Sequence, residues 1–509
     1  MKTTQKQTAL AALVMLAAAA GCDAPKAAEQ APSTAPQASC EPFVPHDAEP
    51  LSLEAAREAH FWNGLHTRWR FDEHKSPGHL VKETAAVLER TRQNDGALCY
   101  GDAYIAGRLI FEHTFSPADG QGNGAATEGN PIKRVHDGQF GAPEARRCRS
   151  CHWRGGVAGA GAVVDNAYLL GDGDSIESSD AHNPPSLHGV GVLQALAVEM
   201  TAELQGLKTK ALAKAGQTGK PQRVRLESKG VDFGVLAIKP DGAVDAADLK
   251  GIDADLVVRP FGWKGNHTNL RNIVQDSFQI HLGIQPQGLV KGGDRALLGD
   301  GPGDDPDKDG VKDELTDAQV TATVLFLAAQ GMPVMRPHER LNEAEASAEG
   351  LMPPTSAVFL DEWMKGRRLF DKVGCAGCHT PSMILKESTF TTTDAKGTVH
   401  TLDLSTSMER PRLVMDKEAG GYPVYLFSDL KRHDMGPALG SRHSHDGVAP
   451  NMFQTPPLWG LADSGPWMHD GRAPSIDLAI RAHGGEGEAS KRAYAAWTAP
   501  EAMASPSPL

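Results

Sequence analysis

The sequence predicts a mainly α-helical protein built from two tandem domains of similar design with long loops. Two observations predict the repeat: the pattern Cys-x-x-Cys-His occurs twice, and a similar Gly-Arg segment precedes each copy. A third observation predicts the loops, because 54 glycines and 34 prolines in 509 residues interrupt regular structure often. This length also exceeds what one compact core usually holds, so more than one domain is expected.

The N-terminal segment is typical of an exported protein. Lys2 and Lys6 precede an apolar run from Thr8 to Ala20 that is too short to span a bilayer, so residues 1–21 are predicted to be a signal peptide. Gly21 and Cys22 resemble a lipoprotein processing site, which predicts a lipid anchor at Cys22 on the periplasmic side of the cell envelope. The alternative is a soluble periplasmic protein cleaved near Ala20. Residues 22–50, rich in Ala, Pro and Ser, are predicted to be a flexible tether.

The seven cysteines divide into groups with different predicted roles. Four of them belong to the two Cys-x-x-Cys-His motifs, and one is Cys22. Cys40 and Cys99 remain, and in an oxidising compartment these two are expected to form a disulfide bond; two free thiols are the alternative. The formal net charge of −13 argues against a nucleic-acid partner, and it fits a basic redox partner and an ordinary soluble surface equally well.

The two Cys-x-x-Cys-His motifs predict two covalently bound c-type haems. Cys148 and Cys151 precede His152, and Cys375 and Cys378 precede His379. The two thiols attach one haem and the following histidine binds its iron. Zinc is the rival, but a zinc site needs further Cys or His residues nearby at matched spacing, and no further Cys lies close to either motif.

The segments before the motifs predict the fold of each haem domain. Gly107–Phe111 precedes the first motif and Gly366–Phe370 the second, where cytochromes c have their N-terminal helix. The fold class is therefore expected to be two tandem cytochrome-c-like domains, over residues 51–345 and 346–509, with the boundary near Met335 to Pro354. Helices are predicted on both sides of this boundary, over 317–330 and 358–370.

Six further segments resemble the di-haem oxidoreductase family within the bacterial di-haem cytochrome c peroxidase superfamily. They are NPPSLHGVG (183–191), RPFGWK (259–264), FSDLKRHDMG (427–436), TPPLWGL (455–461), HDGR (469–472) and AHGGE (482–486). The resemblance implies that haem 1 meets peroxide, whereas haem 2 relays electrons to it. It also implies that Trp263 carries electrons between the haems, the alternative being a tryptophan of the core.

For haem 2, the resemblance implies a sixth ligand fourteen residues after the histidine of the HDG segment. Counting from His469 reaches His483, which predicts ligation by His379 and His483 and hence a low potential. Met435 is the alternative ligand, and a surface role for His483 is the third possibility.

For haem 1, the family places a distal glutamate in a segment that corresponds here to Gln279–Gly283. His281 stands at the matching position, where it would either transfer protons or bind the iron. His182 and His188 compete with it as ligands, and Gln194 and Glu199 compete with it as polar distal groups.

Two calcium sites are predicted. By resemblance, Asn183, Ser464 and Pro466 would bind Ca²⁺ between the domains. Asp305, Asp307 and Asp309 followed by Gly310 give the oxygen spacing of an EF-hand-like loop, although Thr316 replaces the usual bidentate Glu, and a solvated acidic loop is the alternative.

The function expected from these features is reduction of hydrogen peroxide or a related substrate at haem 1. Electrons would come from a small cytochrome or copper protein through haem 2. One rival is another haem reaction on the same scaffold, such as oxygenation or the maturation of a protein cofactor. The other rival is an electron-transfer cytochrome in which both irons are six-coordinate.

Overall fold

The computed structural model describes residues 79–498, apart from 94, 122–143, 173–174, 288–312, 334–356, 408 and 410. Across these residues, eight α-helices form: α1 His79–Arg90, α2 Tyr100–Glu112, α3 Val190–Thr218, α4 Leu270–Leu282, α5 Asp317–Ala328, α6 Ala357–Lys372, α7 Ile476–Ala482 and α8 Glu488–Trp497. None of these helices is long and apolar enough to cross a membrane.

Eleven short strands accompany the helices in the same part of the chain. They are β1 Ala167–Leu169, β2 Asp180–His182, β3 Gln222–Ser228, β4 Val231–Ile238, β5 Val244–Asp245, β6 Met383–Leu385, β7 Thr389–Thr393, β8 Val399–Asp403, β9 Tyr422–Val424, β10 Arg432–Asp434 and β11 Met452–Gln454. All pairings are antiparallel: β3–β4–β5 form one three-stranded sheet, and β1–β2, β6–β9, β7–β8 and β10–β11 form two-stranded ones.

The predicted mainly α-helical, cytochrome-c-like fold class is wrong. Helices make up 36% and strands 18% of the structure, and the strands form several small antiparallel sheets. The physical reason is visible in the β-rich segments: β7 and β8 alternate exposed and buried residues, which suits a half-buried hairpin. These segments lie outside the haem motifs on which the helical expectation was based.

Helix α5 is the centre of the N-terminal core. Every one of its residues is buried, and Thr316 caps it in a capping box with Gln319. Helix α2 packs against it so closely that a Cβ on Gly107 would lie 2.1 Å from the carbonyl oxygen of Ala322. Phe111 and Phe326 meet in the same contact, with ring centroids 5.4 Å apart. Each such buried side chain contributes about 1.5–3 kcal/mol.

The local predictions around the motifs are confirmed as secondary structure. The segment 107–111 lies within α2 and 366–370 within α6, and helices form over Asp317–Ala328 and Ala357–Lys372 as expected. Each lead-in helix contacts the short 3-10 turn that begins at the first cysteine of its motif. The helices therefore place both motifs, although the surrounding fold is not that of a cytochrome c. The predicted domain boundary lies outside the described residues.

Candidate functional site

The first motif holds His152 in a defined orientation. Its Nδ1 lies 3.1 Å from the carbonyl oxygens of both Gly159 and Pro185, so this nitrogen donates. The loop returns tightly beneath the motif, since a Cβ on Gly159 would lie 1.9 Å from the backbone oxygen of Arg154. Burial lowers the pKa of His152 to about 4. The ring is therefore neutral, and Nε2 is its metal-binding nitrogen.

His281 lies close enough to His152 for its charge to lower the pKa of that ring further. It occupies the last turn of α4, and its Nδ1 contacts the carboxylate of Glu144. Burial opposes protonation of His281, but the charge of Glu144 and its hydrogen bond outweigh burial and, with Asp276, raise the pKa of the ring. Glu144 was not predicted as a site residue, and only its position shortly before Cys148 hinted at a role.

The backbone reinforces the contact between Glu144 and α4. The amide of Ala145 donates to the carbonyl of His281 over 3.1 Å. The side chain of Gln121 donates to the carbonyls of Ala145 (3.3 Å) and Leu282 (2.9 Å). The segment that leads into the first motif is thus fastened to the helix end that carries His281.

The second motif has the same proximal arrangement. The Nδ1 of His379 donates to the carbonyl of Phe427 over 2.9 Å, and burial lowers the pKa of the ring to about 4. His379 is therefore also a neutral imidazole whose Nε2 is the nitrogen left for a metal.

His483 faces His379 across the second motif. The two ring centroids are 6.5 Å apart. Two metal–imidazole bonds of about 2 Å each, together with the size of the rings, separate such centroids by roughly 6 Å. The Nδ1 of His483 lies 2.8 Å from the carbonyl of Ala479, so Nε2 is its ligand nitrogen as well. The residues present fit a haem iron between these two histidines.

The loop of His483 is fixed against β10. A Cβ on Gly485 would lie 2.1 Å from the backbone oxygen of Asp434, so only glycine permits this approach. The carboxylate of Glu486 accepts from the amide of Asp434 (2.9 Å) and contacts Nδ1 of His433 (2.8 Å). Met435 lies beside the same loop, with its Cε 3.5 Å from a Cβ built on Gly487. Met435 and His483 thus share one neighbourhood, but the ring contact with His379 is made by His483.

A rival metal site at Cys378 is disfavoured by its hydrogen bonds. Potential ligand atoms of Cys378, Asp429 and His433 lie within 4.8 Å of one another. However, the Nε2 of His433 contacts Asp429 (2.8 Å) and its Nδ1 contacts Glu486. Burial opposes protonation of His433, yet Asp429 and Cys378 raise its pKa to about 11. A ring protonated on both nitrogens cannot bind a metal.

Trp263 is hydrogen-bonded both to the segment that holds His152 and to the strand pair beside the second motif. Its Nε1 donates to the carbonyl of Asn183 over 2.8 Å, and Asn183 lies just before Pro185, which holds His152. On the other side, the amide of Gln454 donates to the carbonyl of Trp263 over 2.9 Å. Gln454 belongs to β11, which pairs with the strand of His433. The position of Trp263 therefore suits a link between the motifs.

The competing polar residues of α3 bind other parts of the chain. Gln194 donates to the carbonyl of Thr391 (2.9 Å) and accepts from the amide of Leu270 (2.7 Å). Glu199 accepts from the amide of Lys386 over 2.9 Å and forms an ion pair with Lys229. These contacts join α3 to α4 and to the segment after the second motif. They favour structural roles over distal ones.

The competing histidines are also engaged elsewhere. The Nε2 of His188 donates to the carbonyl of Val157 over 2.9 Å. His182 stacks on His445 at a centroid distance of 4.8 Å and meets His469 edge-on at 6.4 Å. Burial lowers the pKa of both His182 and His188.

Two of the three residues predicted for the interdomain calcium site, Asn183 and Pro466, lie close together in the structure. Asn183 is buried, and both it and Pro466 lie beside Gly471, at 3.3 and 3.1 Å from a Cβ built there. The side-chain amide nitrogen of Asn183 donates to the backbone carbonyl of Ala162 (3.0 Å) and to the side-chain oxygen of Asn166 (2.9 Å). Ser464 precedes Pro466 in the same turn. The acidic loop with Asp305, Asp307 and Asp309 lies outside the described residues, as do Cys22 and Cys40; Cys99 is disulfide-bonded.

Comparison with known proteins agrees with the C-terminal site. Residues 347–504 match the model of the family described as "Di-haem oxidoreductase, putative peroxidase". The matched range contains the second motif and His483, so the family resemblance predicted from the sequence is confirmed there. No curated protein matches the chain.

Proposed function

We propose, from the premise that residues 347–504 belong to the di-haem oxidoreductase family, that this protein reduces hydrogen peroxide at haem 1 with electrons relayed through haem 2. The observation that carries the proposal is the contrast between the two distal histidines. His281 contacts a carboxylate, whereas His483 contacts a backbone carbonyl. The first arrangement suits a proton donor and the second a permanent iron ligand.

The family implies haem cofactors, and their covalent attachment is part of the proposal. Haem 1 would be held by Cys148, Cys151 and His152, and haem 2 by Cys375, Cys378 and His379. When bound, haem supplies the iron that receives electrons and takes up the oxygen substrate. At haem 2, His483 would complete the coordination and keep oxidants away, with Met435 as the alternative ligand.

The proposed role of His281 is to move protons. Reduction of one hydrogen peroxide to two water molecules consumes two electrons and two protons. Because Glu144 raises the pKa of His281, it favours the protonated ring, which can deliver its proton to the departing oxygen. Nδ1 contacts Glu144, so proton exchange with the substrate would use Nε2.

The electrons would reach haem 1 by way of Trp263. Its side chain donates to Asn183 next to the first motif, and its backbone accepts from the strand pair next to the second. A small cytochrome or copper protein is the proposed donor. Calcium at Asn183, Ser464 and Pro466 would stabilise the contact between Trp263 and the first motif. The lipid anchor at Cys22 would keep the enzyme on the periplasmic side of the cell envelope.

One observation favours a second candidate, an electron-transfer cytochrome. A carboxylate on Nδ1 also supports histidines that bind metals. His281 could therefore be a sixth ligand of haem 1, which would then be closed to substrate.

Substitution of His281 separates the two candidates. If His281 moves protons, His281→Ala should slow peroxide turnover by about 10²–10⁴-fold and leave haem 1 high-spin. If it is a ligand, the same change should convert haem 1 from low-spin to high-spin. His400→Ala is the matched control, because His400 forms its carboxylate–histidine pair with Asp394 instead, and it should leave turnover unchanged. Unchanged spectra and turnover in His281→Ala would refute the proposed role.

A further inference from the structure

Glu144 is a buried acid placed where the reaction needs one. Its side chain is only 7% exposed, compared with 32% for the imidazole of His281 that it contacts. A carboxylate loses much of its hydration on burial and is retained at such a position only with a charged or hydrogen-bonding partner. His281 is such a partner, on an element distant in sequence.

The contact is built by several independent hydrogen bonds. The amide of Ala145 donates to His281, and Gln121 donates to both sides of the junction. These bonds hold the backbone of residue 144 against the end of α4 whatever the charge on the side chain. The carboxylate therefore meets Nδ1 without having to order a flexible chain, and the ring orientation is fixed before substrate arrives.

We propose that Glu144 is the positioning residue of haem 1: it holds the proton-bearing form and the orientation of His281, so that Nε2 is presented to the substrate. This inference rests on the proposed function, because it assigns Glu144 a part in the same proton transfer. After His281 gives its proton to the departing oxygen, the negative charge of Glu144 favours return of a proton to the ring. No further reactant is needed beyond the two electrons and two protons already required.

The charged groups around the ring are consistent with this assignment. On α4 itself, Asp276 adds to the effect of Glu144 and raises the pKa of His281. In the first motif, His152 is neutral, because burial lowers the pKa of its ring. At the other end of α4, Arg271 is paired with Asp317 of α5. Glu144 is in direct contact with the ring through Nδ1.

The test is a double-mutant cycle on the holoenzyme with Glu144→Gln, His281→Ala and both changes together. Glutamine keeps the size of the side chain and its acceptor oxygen but removes the charge. We expect Glu144→Gln to lower kcat about 10–100-fold with KM for the electron donor unchanged. Since an imidazolium attracts an anion, azide affinity for ferric haem 1, followed optically, should fall about tenfold. In the His281→Ala background, Glu144→Gln should have no further effect.

The matched control is Asp394→Asn. Asp394 and His400 form another buried carboxylate–histidine pair, 3.2 Å apart, which lies near Arg271 rather than His281. This variant should leave azide affinity and kcat unchanged even if it lowers stability. Glu144→Asp serves as a second variant should the glutamine variant not fold, and it should retain azide affinity better than glutamine does.

The possible failures are distinguishable. Wild-type azide affinity and kcat in Glu144→Gln, or additive effects in the cycle, would overturn the role of Glu144 while leaving the proposed function in place. Unchanged kcat in His281→Ala would instead refute the proposed proton transfer, and the role of Glu144 with it.

Discussion

The two Cys-x-x-Cys-His motifs hold their own histidines in the same way, and they differ in the second histidine proposed for each haem. His152 and His379 both donate from Nδ1 to backbone carbonyls, and burial lowers the pKa of each ring to about 4. The distal rings differ: the Nδ1 of His281 contacts the carboxylate of Glu144, whereas that of His483 contacts the carbonyl of Ala479. His281 therefore has a charged partner that favours its protonation, whereas His483 has an uncharged backbone partner.

This difference suggests how one chain can separate chemistry from electron transfer. A neutral imidazole with Nε2 facing the metal is a good ligand, and it protects a relay haem from oxidants. A protonated imidazole cannot coordinate, but it can donate to a leaving oxygen. Under the proposed function, the charged partner of Nδ1 makes His281 a proton donor, whereas the neutral partner of His483 leaves that ring as an iron ligand.

The largest expected effect is at haem 2. His483→Ala should convert that haem from low-spin to high-spin while its covalent attachment persists, because the ring that faces His379 is lost. Electron-paramagnetic-resonance spectra of the oxidised protein measure this change. Met435→Ala is the control and should leave haem 2 low-spin; the opposite pattern would make Met435 the ligand.

The next effect is on pH dependence at haem 1. The pKa of His281 is raised in the folded protein, so turnover should fall as pH rises through that pKa, above about 6.5. The same group stabilises the fold fully below about pH 6.5, and this contribution is lost as pH rises through the folded pKa. Glu144→Gln should move both changes to lower pH. Identical pH profiles for wild type and variant would show that the carboxylate does not set the proton affinity.

A smaller effect is expected at the link between the sites. Trp263→Phe should slow electron transfer between the haems about tenfold, because the indole and its hydrogen bond to Asn183 are lost. Stopped-flow oxidation of the half-reduced protein measures this rate. Trp459 is a buried tryptophan that packs beside Gly189, and Trp459→Phe is therefore the control. Equal rates in both variants would make Trp263 a core residue only.

The smallest effect is expected at Glu486. Its carboxylate is half exposed, so its pair with His433 is screened by solvent and should contribute less than about 1 kcal/mol. Glu486→Gln should alter the low-spin signal of haem 2 slightly, through the loop of His483, without making it high-spin. Complete conversion to high-spin would mean that this one contact holds the ligand in place.

Local patterns in the sequence predicted the parts of this molecule that depend on nearby residues. Each motif places its own histidine, the helix predicted over 317–330 forms as α5, and the count from His469 reaches the ring that faces His379. The fold class could not be obtained in this way. Strands such as β3 and β4 lie in segments that carry no motif, and their pairing depends on the alternation of side chains and on the register between the strands.

Glu144 could not be predicted for a related reason. It lies 137 residues from His281 in the chain, and nothing in either segment signals the other. The contact exists because hydrogen bonds from Gln121 and Ala145 hold the segment before the first motif against the end of α4. The sequence indicated that His281 would either transfer protons or bind the iron, but it did not reveal the carboxylate that contacts its Nδ1.

The most direct test of the proposed division between the sites is the electron-paramagnetic-resonance spectrum of the holoprotein during a redox titration. The account predicts a low-spin signal from haem 2 with two histidine ligands, and a high-spin signal from haem 1 in the fully oxidised or half-reduced protein. Peroxide should then react with the high-spin haem. Two low-spin signals at every potential, with haem 1 becoming high-spin only in His281→Ala, would contradict the account and make the protein an electron-transfer cytochrome.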